Sequence, residues 1–388
     1  MSSQVYDCIV IGAGIQGSCT AYYLAKNKQK TLLLEQFILP HARGSSHGQT
    51  RIIRKAYDED YYVRMMDESY RLWAEIEKES GVKLHSRTGL LVLGPEHGHD
   101  YPRYKNTLLR NKVPTVMLKR EEFSQHIPNF NLTQGDAALV DTTAGVLYAD
   151  KALRTIQRLF QEHGGETKDG QKVSKISPGR VVTVTTSTGE YRTRSLVITA
   201  GPWANSLLAH TGLNLPLTVE KINVCYWREK DPGSYGIQNR FPAFIQVEPV
   251  ESKHHIYGLP SNEYPGLMKV CYHVGKDITD PDERDRQTDR TDINILQRYV
   301  SRCMPGLVPV PAVMESCLYT TTPDSHFVLD RHPTHSNIVI GAGFSGHGFK
   351  FGPLIGKIMY QLSTGQVPSH DLRPFRISRF QGPPKAAL

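Results

Sequence analysis

The stretch Cys8-Ile9-Val10-Ile11-Gly12-Ala13-Gly14-Ile15-Gln16-Gly17 decides the fold. Its first four residues are apolar and rich in β-branched side chains, as in a short strand buried on both faces. They run into a G-x-G-x-x-G turn, and residues 18–26 continue with a helical pattern. A second apolar run at residues 31–34 closes a βαβ start, with Glu35 at its end. Alone, the glycine pattern is weak; strand, helix, second strand and terminal acid in this order make it strong. Gly12 permits the tight turn, Gly14 lets a pyrophosphate approach the backbone, and Gly17 lets the helix pack closely on the strand. The helix N-terminus supplies N–H donors and the positive end of a dipole. Glu35 is placed to accept hydrogen bonds from a ribose diol and to repel a 2′-phosphate. A dinucleotide site is expected here.

The 388 residues suggest two or three domains at roughly 150 residues each. A composition of 39% hydrophobic and 22% charged residues is that of an ordinary globular chain and excludes collagen, coiled coil and disorder. No apolar run approaches the roughly 20 residues that span a bilayer. The N-terminus lacks the basic-then-apolar order of a secretory signal, so a soluble intracellular protein is expected. Of 46 basic and 38 acidic residues, the excess is +8. It is scattered, with no basic run interleaved with aromatics, so neither nucleic acid nor a membrane is expected as partner. A basic bias also suits a site that collects carboxylates. The six cysteines form no C-x-x-C pair and no zinc spacing, which predicts reduced thiols and no metal site.

Further along, helices are expected at residues 61–79 and 151–163, and a strand at 88–93. The segment 96–141 reads as polar, mixed and peripheral. Alternating strands over 173–199 end in Ala200-Gly201-Pro202-Trp203, which brings backbone close to the same dinucleotide. Long β-type runs over 216–276 predict a large sheet in a second domain. Near the C-terminus, a strand at 337–340 enters Gly341-Ala342-Gly343-Phe344-Ser345-Gly346-His347-Gly348, followed by a helical pattern at 353–362. Two Gly-rich strand-to-helix turns at opposite ends of the chain predict that both ends clasp one long cofactor. That favours FAD, whose isoalloxazine ring takes contacts from distant segments, over a nicotinamide dinucleotide.

At this point a family resemblance becomes visible. Residues 44–57 (Gly-Ser-Ser-His-Gly-Gln-Thr-Arg-Ile-Ile-Arg-Lys-Ala-Tyr) resemble the flavin-contacting segment of the monomeric sarcosine oxidase family. So do Glu315-Ser316-Cys317-Leu318-Tyr319 with Thr322-Pro323-Asp324, and residues 343–350 (Gly-Phe-Ser-Gly-His-Gly-Phe-Lys). Residues 223–229 and 374–380 are similar to the animal branch of that family, peroxisomal enzymes of sarcosine and L-pipecolate. The resemblance runs in order through the whole chain. It implies an α/β fold with a Rossmann-type, glutathione-reductase-like FAD-binding domain in three pieces (1–85, 146–216 and 325–388). A substrate domain on an antiparallel sheet would be inserted in two pieces (86–145 and 217–324).

The resemblance also assigns roles. Cys317 would carry FAD through an 8α thioether, one per chain, with Gly343, Gly346 and Gly348 in the second cofactor turn. Arg54 and Lys350 would clamp a substrate carboxylate, since a desolvated anion needs paired cations. Lys269 would serve oxygen as a fixed cation, and His273, four residues on, would face the same side of its strand. Tyr257 and His47 would shape and polarise the pocket, and Arg51 would tune the ring. The implied activity is oxidation of a secondary or N-methyl amino acid (L-pipecolate, sarcosine or L-proline) to an imine, with oxygen reduced to hydrogen peroxide. Sarcosine would yield glycine and formaldehyde. The enzyme is expected to be monomeric and peroxisomal. An import receptor would read Ala386-Ala387-Leu388, where the basic middle residue of the usual tripeptide is replaced by Ala. Two readings compete: a flavin dehydrogenase serving an electron carrier, which would not need Lys269, and a redox-inert dinucleotide-binding module, which would leave Arg54, Lys269 and Lys350 without a common purpose.

Overall fold

The computed structural model describes residues 4–380, so the C-terminal tripeptide lies outside the described residues. Strand Val5–Ile11 runs parallel to Thr31–Leu34 on one side and to the second half of Gly189–Ile198 on the other. Glu166–Lys168 and Ile338–Ala342 extend this parallel set at its two edges. Val328–Arg331 adds an antiparallel strand, and the hairpin Val173–Ser177/Val182–Thr186 continues the first half of Gly189–Ile198. Ile9, Val10, Leu32, Leu33, Val197 and Ile340 are fully buried, as a parallel sheet covered on both faces requires. Helix Ile15–Lys26 packs between helices Ala149–Glu162 and Gly352–Ser363.

The second sheet has nine strands. Thr218–Glu229 pairs along its length with Leu307–Thr321 and, on its other edge, with Leu267–Tyr272 and Lys276–Asp277. Beyond these come Ile256–Leu259, Ala243–Gln246, Leu90–Pro95, Asp136–Asp141 and Thr115–Leu118. Two expectations are corrected. This sheet is not purely antiparallel, because Ala243–Gln246 and Leu90–Pro95 run parallel where its two chain pieces meet (Phe244 beside Leu91). Segment 96–141 is not peripheral either: it contributes two strands and helix Asp100–Arg110, whose Tyr101 and Tyr104 are buried. A small third sheet, Thr50–Ile53/Gly145–Tyr148/His85–Ser86, carries the chain from the parallel sheet towards the second one.

The first glycine turn sits at the carboxyl ends of the parallel strands, where ligands bind in open α/β sheets. Gly12 has φ +101°, and a Cβ there would lie 2.6 Å from the Thr199 carbonyl oxygen. A Cβ on Gly17 would lie 1.8 Å from the Gly12 carbonyl oxygen. The obstacle is backbone and cannot swing aside. Gly17→Ala is therefore expected to lower folding stability by about 1–3 kcal/mol, measured from denaturant midpoints. Gly44→Ala, whose new methyl would meet only the Trp203 ring at 3.9 Å, should change stability by under about 0.5 kcal/mol.

Candidate active site

A single cavity of about 420 Å³ starts at the first glycine turn and ends against the second sheet. At the turn, Gly12 and Gly14 form its wall. A Cβ on Gly14 would stand 3.1 Å from Ser46 Oγ, which accepts the Ile15 N–H at 3.0 Å. Buried Glu35 also lines the cavity, and its carboxylate accepts the N–H groups of Ala13 (2.8 Å) and Phe37 (3.1 Å). It thus organises the turn itself. Residues 200–203 line the same end, as their Ala-Gly-Pro turn predicts. Gly17 and Gly343 lie outside the lining. Gly343 is a turn former at φ +63°, where a Cβ would sit 2.4 Å from Thr322 Cγ2. Gly346 and Gly348 do line the cavity, and a Cβ on Gly346 would strike Tyr319 at 2.6 Å and His273 at 2.9 Å.

In the middle, Arg51 spends its donors on backbone. It donates to the carbonyls of Ser45 (2.9 Å), His47 (2.6 Å) and Thr50 (2.8 Å), fixing that loop. Cys317 is buried in the opposite wall, with Sγ 3.9 Å from the Ser45 carbonyl oxygen. His47 Nε2 is buried without a hydrogen-bond partner. Burial, reinforced by Arg51, Arg284 and Lys269, pushes the His47 pKa down to about 3. Lys269 is buried; its Nζ lies 3.3 Å from Glu263 Oε1 and 3.4 Å from the Thr50 carbonyl oxygen. The Thr50 hydroxyl bonds the same Glu263 oxygen. Glu263, with a side chain only 2% exposed, carries no motif that sequence reasoning could have found.

At the far end the Arg54 guanidinium lies 4.1 Å from the Tyr57 ring centre and 5.8 Å from that of Tyr104. Its Nη1 is buried with no hydrogen-bond partner among the described residues. Lys350 Nζ donates to Tyr57 Oη (2.9 Å) and to the His347 carbonyl (2.8 Å). Burial, then Arg54 and Arg51, hold its pKa well below the usual lysine range. His273 is likewise pushed down to about 3 by burial, then by His255, Arg54 and Lys350. Its Nδ1 lies 3.4 Å from Tyr319 Oη, which is 3.5 Å from Tyr257 Oη. Lys269 and His273 both line the cavity, but the strand ends at Tyr272, so His273 reaches it from just beyond the strand and not by strand parity. Among the described residues neither Arg54 nor Lys350 forms a salt bridge. Buried cations in that state are stabilised by an arriving anion.

The two ends of the cavity together define a dinucleotide-binding protein that takes an anionic small molecule beside its cofactor. A profile of the FAD dependent oxidoreductases (DAO) matches residues 7–362. The peroxisomal sarcosine oxidase of Homo sapiens is 55% identical over 387 residues, covering 99% of this chain and 98% of its own. The monomeric sarcosine oxidase of Bacillus sp. (strain B-0618) is 35% identical, covering 96% of each. Among solved structures, NikD, an unusual amino acid oxidase, aligns with a TM-score of 0.84 at 22% identity, covering 96% of this chain and 98% of its own. The chain belongs to the FAD dependent oxidoreductase family, within its sarcosine oxidase group. Its residues fit FAD: the first turn is a cradle that a Cβ on Gly12 or Gly14 would fill, and His47 Nε2 is a buried polar atom awaiting a partner.

His273 gives a pH signature. Its folded pKa near 3 lies below the roughly 6.5 of an unfolded histidine, so the unfolded chain binds the proton that the folded one refuses. Its contribution is present above pH 6.5 and lost as pH falls from there towards 3, by up to about 1.4 kcal/mol per pH unit. Denaturant midpoints measured from pH 4 to 8 should fall more gently towards acid in His273→Gln than in the parent.

Proposed function

We propose that the protein is an oxidase of secondary and N-methyl amino acids, acting on L-pipecolate, sarcosine and L-proline. The observation that carries this reading is the pair of buried cations, Arg54 and Lys350, unpaired at the end of a cavity that begins in a dinucleotide cradle. Arg54 offers a planar fork and Lys350 a point charge, which suits a carboxylate. That carboxylate orients the neighbouring C–N bond along the cavity, while His273, kept neutral, and Tyr257 wall the reacting end without a competing charge. Bound FAD would supply a two-electron relay, accepting the pair lost when the amine becomes an imine and giving it to oxygen, which becomes hydrogen peroxide. Lys269 stabilises negative charge on oxygen as a preorganised cation, its ammonium anchored by Glu263 and Thr50. Hydrolysis of the sarcosine imine gives glycine and formaldehyde. Cys317 is the attachment point of FAD through an 8α thioether, a reading supported by its burial in the cavity wall beside the 45–50 loop.

The FAD-binding unit comprises residues 1–85, 146–216 and 325–388, and the substrate unit 86–145 and 217–324. The enzyme acts as a monomer in the peroxisome, where its peroxide is produced; the names of its human and mouse relatives support that compartment. An import receptor reading Ala386-Ala387-Leu388 is the matching partner.

Hydrogen peroxide release with each of the three amino acids tests the reaction. Removing one partner of a buried charge-assisted contact costs on the order of 2–5 kcal/mol. Arg54→Ala should therefore weaken a carboxylate inhibitor tens-fold or more and leave its neutral methyl ester almost unaffected; equal losses would make Arg54 structural. For the linkage, acid precipitation should leave the yellow colour with the protein, and Cys317→Ala should release it to the supernatant. Colour lost from the unmodified protein would refute the attachment.

A further inference from the structure

Helix Asp100–Arg110 places two side chains one turn apart against Arg54 and His255, two residues that line the cavity. Tyr104 meets the Arg54 guanidinium, with 5.8 Å between the guanidinium carbon and the ring centre. The same ring makes an edge contact with the imidazole of His255, 6.4 Å between centroids. One turn earlier, Asp100 Oδ2 lies 3.0 Å from His255 Nε2. The hydrogen bond from His255, followed by that from His99, holds the Asp100 carboxyl down to about 2, so it is an anion at any working pH. His255 lines the cavity, and its ring lies parallel to that of His273, within 8° and 6.4 Å between centroids. Arg54, His255 and His273 thus contribute to the cavity wall, with Tyr104 and Asp100 packed behind them.

The wall is fixed from behind. Glu248 accepts the N–H groups of His99 (3.2 Å) and Asp100 (2.8 Å), tying the start of the helix to the segment that follows strand Ala243–Gln246. With Nε2 engaged by Asp100, the His255 ring is held in place as a flat surface on the cavity wall. A carboxylate held by Arg54 and Lys350 leaves the rest of the substrate to be packed. Sarcosine has one methyl beyond its nitrogen, whereas a cyclic secondary amino acid carries a belt of ring methylenes that needs such a surface.

We infer that His255, positioned by Asp100, is a specificity determinant that favours cyclic secondary amino acids over N-methylglycine. The inference rests on the oxidase reading above and names the substrate class of the same site. His255 is the contact residue, and Asp100 is a positioning residue that acts through it.

The experiment uses the holoenzyme and its His255→Ala, Asp100→Asn and double variants. Loss of one or a few methylene contacts corresponds to roughly 10–200-fold in discrimination. The ratio of kcat/KM for L-pipecolate to that for sarcosine should fall tenfold or more in His255→Ala. Asp100→Asn should lower the ratio severalfold, chiefly through KM, and should add nothing in the His255→Ala background. Binding of cyclohexanecarboxylate and acetate, neither of which carries an amine to oxidise, gives a second readout by calorimetry. His255→Ala should weaken the ring carboxylate tenfold and acetate much less. Equal losses for both carboxylates, or an unchanged amino-acid ratio, would overturn the inference. So would an Asp100→Asn effect that persists undiminished in the double variant, since that describes a merely structural carboxylate. If His255→Ala does not fold, Asp100→Asn carries the same two comparisons. An enzyme that oxidises neither amino acid yet shows the ring-selective binding loss would refute the oxidase reading and keep the wall.

Discussion

Two basic groups, Arg54 and Lys350, buried with no carboxylate partner among the described residues are the constraint that the rest of the structure serves. Taking a guanidinium or an ammonium out of water costs several kcal/mol per ion unless something replaces the lost hydration. Part of the replacement is aromatic: Arg54 lies over the face of Tyr57, whose hydroxyl accepts from Lys350. The remainder is backbone that cannot move. The Lys350 carbonyl is gripped by Ser69 Oγ (2.6 Å) and Trp73 Nε1 (2.8 Å) from helix Asp60–Ser80. Fully buried Asp141, on the second sheet, accepts the N–H groups of Lys55 and Ala56 immediately after Arg54. Each cation is therefore held by the fold on the far side from the cavity. Its unmet need for a partner points inwards.

The same electrostatic logic explains the histidines. Burial is the first cause, and nearby cations add to it, because an imidazole beside them has no incentive to take up a further positive charge. His273, with Arg54 and Lys350 nearby, and His47, with Arg51, Arg284 and Lys269 nearby, are accordingly neutral far below neutral pH. Lys269 is treated differently. It alone among these cations has a buried carboxylate partner, Glu263, which is itself tied to Thr50. A paired ammonium contributes a directed dipole more than a bare charge, which would suit the role proposed for Lys269.

What could be read in the sequence follows from how local its physical cause is. The opening βαβ unit is written in contiguous residues, and the strand expected at 31–34 forms over those residues. The role of Glu35 was only half visible: its carboxylate organises the turn through Ala13 and Phe37, a contact that depends on the folded loop. Segment 96–141 misled because the buried face of helix Asp100–Arg110 is built from Tyr101, Tyr104, Thr107 and Leu108, amphipathic side chains among charged neighbours. Polar-looking composition hid a core helix. Strand direction at Ala243–Gln246 and Leu90–Pro95 has no local signature at all, since a period of two is the same in parallel and antiparallel pairs. Glu263 and His255 acquire meaning only through partners that are distant in sequence or reached by the fold, Thr50 and Asp100 respectively.

The glycines of the second turn show how the two ends of the cavity are kept in register. Gln16, in the first turn, donates through Nε2 to the Gly348 carbonyl at 2.9 Å, joining the two Gly-rich turns directly. Gly346 then lets that second turn lie against Tyr319 and His273 of the substrate sheet, closer than any side chain would allow. Lys350 follows four residues later, so its distance from the dinucleotide cradle is set by the Gln16 amide and by the close approach of Gly346 to these two rings. Productive geometry between two bound molecules tolerates errors of only about half an ångström. A spacing set by one buried side chain and by a glycine pressed against two rings leaves little room for such error, and it accounts for the convergence of both ends of the chain on one cavity.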